Sequence, residues 1–172
     1  MKSLLETLPR GLKDVDIPFG TGRFVPYYDE LGYDISGLDA SGDMIQAAKE
    51  ALGPLYEKCS CTVGDALDLP YQDGAFDLVV STRFLRDIVT FGLAKTMLSE
   101  MARVTSKYAI IQLGNNFTRG RTPKDEEVMG GNFSKAGIDR LLKGYGLKVK
   151  DRRLVLSEPT IGEIYHVLCE KT

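Results

Sequence analysis

Lys13-Asp14-Val15-Asp16-Ile17-Pro18-Phe19-Gly20-Thr21-Gly22 is a β-prone run that closes on a glycine turn, and a helix-forming segment from about Arg23 to Leu31 follows it. Strand, Gly-x-Gly turn and helix make the opening unit of a doubly wound α/β sheet. Glycine carries no Cβ, so a ligand can approach the backbone at such a turn. A helix starting near Arg23 would aim free N–H groups and its positive dipole end at an anionic group there. Pro26 falls in its first turn, where a missing N–H costs little.

The rest of the chain continues the alternation. Asp34–Leu38 reads as a second strand ending at Asp39, and Ser41 opens a helix with Met44, Ile45, Ala47, Ala48 and Leu52 on one face until Gly53-Pro54 stops it. Ser60–Val63 reads as a third strand, and a loop over Gly64–Ala75 follows. Phe76–Ser81 is a β-branched run suited to a central strand covered on both sides. A helix over Leu93–Val104, a fifth strand over Lys107–Leu113 and a long polar segment over Gly114–Asn132 come next. A segment that long without clear periodicity is usually a functional lid or partly disordered. Ser134 caps a helix to about Gly144, with Ile138, Leu141 and Leu142 inward. Leu147–Leu156 and Ile161–Glu170 alternate with period two and close the chain as an antiparallel pair. The expected architecture is one domain over residues 1–172: a mostly parallel seven-stranded sheet, helices on both faces and an antiparallel pair of strands last.

The turn by itself admits any Rossmann-type ligand. The dinucleotide fingerprint needs a third glycine where this chain has Val25. The phosphate loop of nucleotide triphosphatases needs Gly-Lys-Ser/Thr, and Gly22-Arg23-Phe24 does not supply it. Four elements in order then resemble the class I S-adenosylmethionine-dependent methyltransferase family over about residues 13–113: Asp16-x-Pro18-x-Gly20-x-Gly22, Gly37-Leu38-Asp39-Ala40-Ser41, Gly64-Asp65-Ala66 and Phe76-Asp77-Leu78-Val79-Val80-Ser81.

That resemblance implies S-adenosyl-L-methionine as cofactor. Asp16, Pro18, Phe19, Gly20, Thr21 and Gly22 would wrap its methionine part, and Asp39, with Ala40 and Met44 beside it, would accept from the ribose hydroxyls. Asp65 and Ala66 would meet adenine, and Ser81 and Thr82 would border the methyl group. Pro18 stands where the family usually has its first glycine and removes one N–H donor. Phe19 stands where a small residue is commoner; its ring either crowds the methionine or packs into the sheet.

Methyl transfer from a sulfonium is an in-line displacement in which alignment supplies roughly 7–11 kcal/mol, and a base is needed only if the acceptor must lose a proton. Arg83, Asp87 and Asn115 are the catalytic candidates, placed after the fourth and fifth strands where open sheets bind ligands. Asp87 reads more readily as a helix-start carboxylate, and Asn115 and Asn116 read equally well as turn residues. The family's histidine pair is replaced by Arg86-Asp87. His166 reads as structural or solvent-facing, and Tyr27 and Tyr28 as the edge of the core. The family's N-terminal helices have no counterpart before a strand that starts near residue 13. Gly114–Asn132, a second subunit or a further N-terminal segment would then cover the acceptor.

With 22 basic and 24 acidic side chains and a formal charge of −2, composition makes no case for nucleic acid or a membrane surface. Lys148, Lys150 and Arg152 should share one strand face, and with Arg119, Arg121 and Lys124 they read as a solvated face. Cys59, Cys61 and Cys169 are too few and too closely spaced for a disulfide framework or a zinc site, so no metal is expected. No run approaches the ~20 apolar residues of a membrane span. The expectation is a cytoplasmic methyltransferase acting on a small molecule, with a homodimer plausible on an open face. A non-catalytic cofactor- or partner-binding protein and an RNA or protein methyltransferase are the alternatives.

Overall fold

The computed structural model describes residues 1–85, 91–115, 135–158 and 162–172. The chain runs α1 (Lys2–Leu5), β1 (Lys13–Asp16), α2 (Val25–Glu30), β2 (Asp34–Asp39), α3 (Gly42–Leu52), β3 (Cys59–Val63), β4 (Phe76–Ser81), α4 (Phe91–Val104), β5 (Thr105–Asn115), α5 (Lys135–Gly144), β6 (Leu147–Glu158) and β7 (Gly162–Lys171). The seven strands form one sheet in the order β3-β2-β1-β4-β5-β7-β6. β1 to β5 pair in parallel, while β7 runs antiparallel between β5 and β6. This is the expected architecture.

Two cores flank the sheet. Leu4 and Leu5 of α1, Val25 and Tyr28 of α2 and Ala48 of α3 pack with Ile35, Leu78, Val80, Ile110 and Leu168 on one face. Met97, Leu98 and Met101 of α4, with Ile138 and Leu142 of α5, pack with Val15, Val79, Ile111 and Val167 on the other. The period-two alternation of each strand therefore feeds both layers. β4 hides five of its six residues, as its unbroken apolar run requires.

Boundaries moved where tertiary contacts extend or shorten an element. α2 begins at Val25 because Gly22 still turns with φ 66°. β5 gains residues at both ends and pairs with β7 continuously from Tyr108 to Asn115. Ser41 caps α3, its hydroxyl accepting from the Met44 N–H at 3.3 Å, and Gly53 ends that helix with φ 55°. A 3-10 turn over Gly53–Lys58 follows it. Of the expected inward face of α3 only Ala48 is buried, and Met44 remains 36% exposed. α1 had no sequence signal, yet Leu4 and Leu5 are fully buried. The Ser134 cap and the segment from Asn116 onward lie outside the described residues.

β6 corrects one expectation. Bulges between Val149 and Asp151 and between Leu154 and Leu156 break its alternation. Lys150 therefore pairs with Glu170 across the sheet at 2.8 Å, while Arg152 turns to Asp139 on α5. An inserted residue shifts everything after it to the opposite face. The three basic side chains do not form one stripe.

The loop from Gly64 to Ala75 is braced from α4. Arg103 donates to the carbonyls of Leu69 and Tyr71 at 3.0 and 2.7 Å and pairs with Asp73 and Glu100. Glu100 in turn accepts from the Leu69 N–H at 2.8 Å. These bonds supply the backbone partners that a loop lacks. Arg103→Ala should lower unfolding stability by about 2 kcal/mol, the sum expected for losing several charge-assisted bonds. Hydrogen exchange should show faster amides over Leu67–Tyr71 with α4 still protected. Unchanged loop protection would contradict the brace.

Candidate functional site

A cavity of about 380 Å³ opens at the C-terminal ends of β1, β2 and β4, on the side of the sheet that carries α1 to α3. This is where open α/β sheets bind ligands. The turn after β1 forms its floor. The Ile17–Pro18 peptide is cis, and Gly20 and Gly22 turn with φ 56° and 66°.

Phe19 fixes that turn. Its ring is 3% exposed and lies across β2, so a Cβ on Gly37 would meet it at 2.2 Å. A Cβ on Gly22 would meet Leu52 at 2.6 Å and the same ring at 3.1 Å. Phe19 thus packs into the sheet, and Gly37 and Gly22 are the small residues that make room for it. Its N–H donates to the Leu38 carbonyl at 2.8 Å.

Asp39 ties three of the sequence elements together. It is 7% exposed; Oδ2 accepts from the Gly20 N–H at 2.8 Å and Oδ1 from the Ser41 N–H at 3.0 Å. Its carbonyl accepts from the Gly64 N–H at 3.0 Å. Each carboxylate oxygen keeps capacity for a further donor.

Asp16 lies one strand over, 2% exposed. Oδ2 accepts from the Tyr28 hydroxyl at 3.1 Å, while Oδ1 is buried with no partner among the described residues. Burial pushes its pKa up to about 7, against the opposing pull of the Tyr28 hydrogen bond and the Arg23 charge. Asp14, two residues earlier on the same strand face, is fully buried with neither oxygen paired among the described residues. Burial, then the neighbouring Asp16 and Asp34, raise its pKa to about 9. Asp14 is consequently a neutral acid near pH 7.

Asp16, Pro18, Phe19, Gly20 and Thr21 all line the cavity. Asp39, Met44 and Thr82 complete the expected group there, and Met44 is exposed because it overhangs this space. Gly22 turns the chain behind the floor. Ala40, Asp65, Ala66 and Ser81 are outside the lining. Asp65 is exposed, its Oδ1 accepting from the Leu67 N–H at 2.8 Å, and Ala66 packs into the opposite core. Ser81 is buried with an unpartnered hydroxyl. Among the catalytic candidates Arg83 lines the cavity, Asn115 ends β5, and Asp87 lies outside the described residues.

Sequence reasoning missed Arg23 and Phe24, which also line the cavity, and Gln112, whose Oε1 accepts from the Arg83 N–H at 2.7 Å. Their signal was position alone, next to the glycine turn and one strand from β4. His166 is structural rather than solvent-facing, at 6% exposure. Among the described residues no cluster of ligating side chains could hold a metal ion, and no helix is long and apolar enough to cross a membrane.

A family model described as a methyltransferase domain matches residues 15–111. Ajmaline N-methyltransferase of Rauvolfia serpentina is 29% identical over 147 residues, covering 84% of this chain and 47% of that protein. Demethylmenaquinone methyltransferase of Bacillus licheniformis is 33% identical over 103 residues, covering 58% of this chain and 43% of that protein. The chain thus spans less than half the length of these curated relatives. Magnesium protoporphyrin IX methyltransferase from Synechocystis, solved with bound S-adenosylmethionine, superimposes with a TM-score of 0.75 at 18% identity, over 99% of this chain and 76% of that one.

Gly37→Ala should destabilise the fold by about 2 kcal/mol through overpacking against Phe19. Adding Phe19→Leu should recover part of that loss, as read from urea midpoints at constant m. A silent Gly37→Ala would refute the close approach. The buried Asp14 contributes to the pH response, alongside Asp16 at lower pH. The folded pKa of Asp14 lies above its unfolded value, so the native state holds the extra proton. Stability associated with it is full below about pH 4 and is lost as pH rises to about 9. Asp14→Asn should flatten the fall of melting temperature between pH 4 and 9, and an unchanged slope would refute the assignment.

Proposed function

The chain belongs to the methyltransferase domain family, and from that premise we propose that it binds S-adenosyl-L-methionine and transfers its methyl group to a small-molecule acceptor. The observation that carries the reading is Asp16, which lines the cavity and whose buried Oδ1 has no partner among the described residues. Folded proteins seldom leave a buried carboxylate oxygen without a donor. A cationic amine supplies one, and its charge would draw the Asp16 pKa back below 7. Asp39 fits a vicinal diol, because each of its oxygens has one backbone donor and room for another. The positive φ of Gly20 leaves the floor clear, with only the Met44 methyl within reach of a Cβ there, at 3.9 Å. Asp65 and Ala66 would hold the adenine from a loop kept beside Asp39 by the Gly64 N–H.

The sulfonium supplies an electrophilic methyl group, and the protein's part is to bind and align. Asp16, Asp39 and the Gly20–Gly22 turn fix one reactant against the sheet. Thr82 and Arg83 after β4 would border the other; the further candidates are Asn115, which ends β5, and Asp87, which lies outside the described residues. Holding two reactants in line is worth roughly 7–11 kcal/mol of the barrier. The names of the relatives, an ajmaline N-methyltransferase and a demethylmenaquinone methyltransferase, favour a small acceptor. The three free cysteines agree with a reducing, cytoplasmic setting, and the continuous sheet agrees with one domain.

S-adenosylhomocysteine at about 100 times its Kd should stabilise the protein by about 2.7 kcal/mol, raising the melting temperature by several degrees. NAD and ATP should not. Asp39→Ala should abolish that shift, and Asp16→Asn should weaken binding at least tenfold with the fold intact. No shift at millimolar ligand would overturn the reading.

A further inference from the structure

The cavity changes sign across the sheet. Its carboxylates stand at the ends of β2 and β1, where Asp39 and Asp16 lie, and its cations stand toward β4. Arg23 is held there by two contacts, neither of them an ion pair, and its charge also acts on Asp16. Nη2 donates to the Thr82 hydroxyl at 3.0 Å, and the guanidinium lies 4.4 Å from the centre of the Phe24 ring. Arg83 follows directly after Thr82 with φ 59°, the one positive φ at a non-glycine position among the described residues. Glycine or asparagine would take that conformation with less strain. The buried Gln112 holds it instead, accepting the Arg83 N–H at 2.7 Å.

Neither arginine forms an ion pair among the described residues, whereas Arg103, Arg152 and Arg153 each pair with aspartate. Guanidinium groups without a counter-ion, one of them fixed in place, present planar forks that match a carboxylate or a phosphate. We infer that the methyl acceptor carries such an anionic group and that Arg83, together with Arg23, receives it at the β4 side of the cavity. This rests on the methyl-donor reading of the same cavity. The cationic donor occupies the acidic side, and the basic side selects an acceptor of opposite charge. His166, the cross-strand partner of Gln112, adds no charge of its own, because burial and the nearby Arg23 hold its pKa down at about 4.

The donor's own carboxylate is the competing source of the same chemistry, and calorimetry separates the two. Protein loaded with S-adenosylhomocysteine is titrated with inorganic phosphate, benzoate and benzamide. Benzoate and phosphate should bind at least tenfold more tightly than the neutral benzamide. Arg83→Gln and Arg23→Gln should each weaken both anions at least fivefold, and Arg83→Gln should leave S-adenosylhomocysteine within twofold. Arg83→Gly should lose the anions equally while its melting temperature holds or rises, because glycine relieves the positive φ; this separates lost binding from lost folding. Equal binding of benzoate and benzamide, or anion binding untouched by Arg83→Gln, would overturn the inference. A parallel loss of S-adenosylhomocysteine in Arg83→Gln would also overturn it, by giving that arginine to the donor. If wild-type protein does not bind S-adenosylhomocysteine, the methyl-donor reading fails. The same titrations on free protein then decide the anion site: loss in Arg83→Gln supports it, and no loss overturns it.

Discussion

One carboxylate holds the ligand end of this sheet together. Asp39 stands at the end of β2 and receives backbone N–H groups from the turn after β1 and from the start of α3, while its carbonyl receives Gly64 after β3. Three loops that parallel pairing merely brings near each other are thereby fixed to one residue. Backbone donors bonded to a carboxylate are stronger than neutral pairs and leave fewer loose N–H groups at the mouth of the cavity. The cavity keeps its shape because its loops share this anchor.

Against that anchor stand groups that the fold leaves unsatisfied. β1 carries two buried acids on one face, and three of their four oxygens have no partner among the described residues. An interior placed there only for stability would hold apolar side chains, since an unpaired polar atom costs about 1–3 kcal/mol. Under the proposed function Asp16 has a use in the cavity. Asp14 has none visible, and it escapes the larger penalty by staying protonated. The arginines on the far side show the same trade in the open: neither has an ion-pair partner among the described residues, and Arg83 carries a strained backbone.

The sheet was legible in the sequence because its signals are local. The alternation of β7, the apolar run of β4 and the serine cap of α3 each identify an element without outside help. The acids of the site were legible too, since they sit at strand ends beside glycines. What could not be read depends on distance. Nothing near Phe19 says that its ring goes to Gly37, eighteen residues on. Nothing near Arg83 points to Gln112, and α1 is too short to show a period, although Leu4 and Leu5 are wholly buried. The bulges of β6 insert residues without any glycine or proline to announce them, so the alternation looked continuous where the strand changes faces.

The place of β7 in the sheet carries a further consequence. It lies between β5 and β6, yet both of those strands precede it in the chain. As the polypeptide emerges from the ribosome, β5 has one open edge and β6 has no partner at all until residues 162–171 are out. The long-range pairing that closes this side of the sheet therefore comes late, and loop closure must be met before it is rewarded. Until then the apolar residues of β5, Ile110 and Ile111 among them, border an edge open to other chains. The brake on misassembly during synthesis is thus the arrival time of one inner strand.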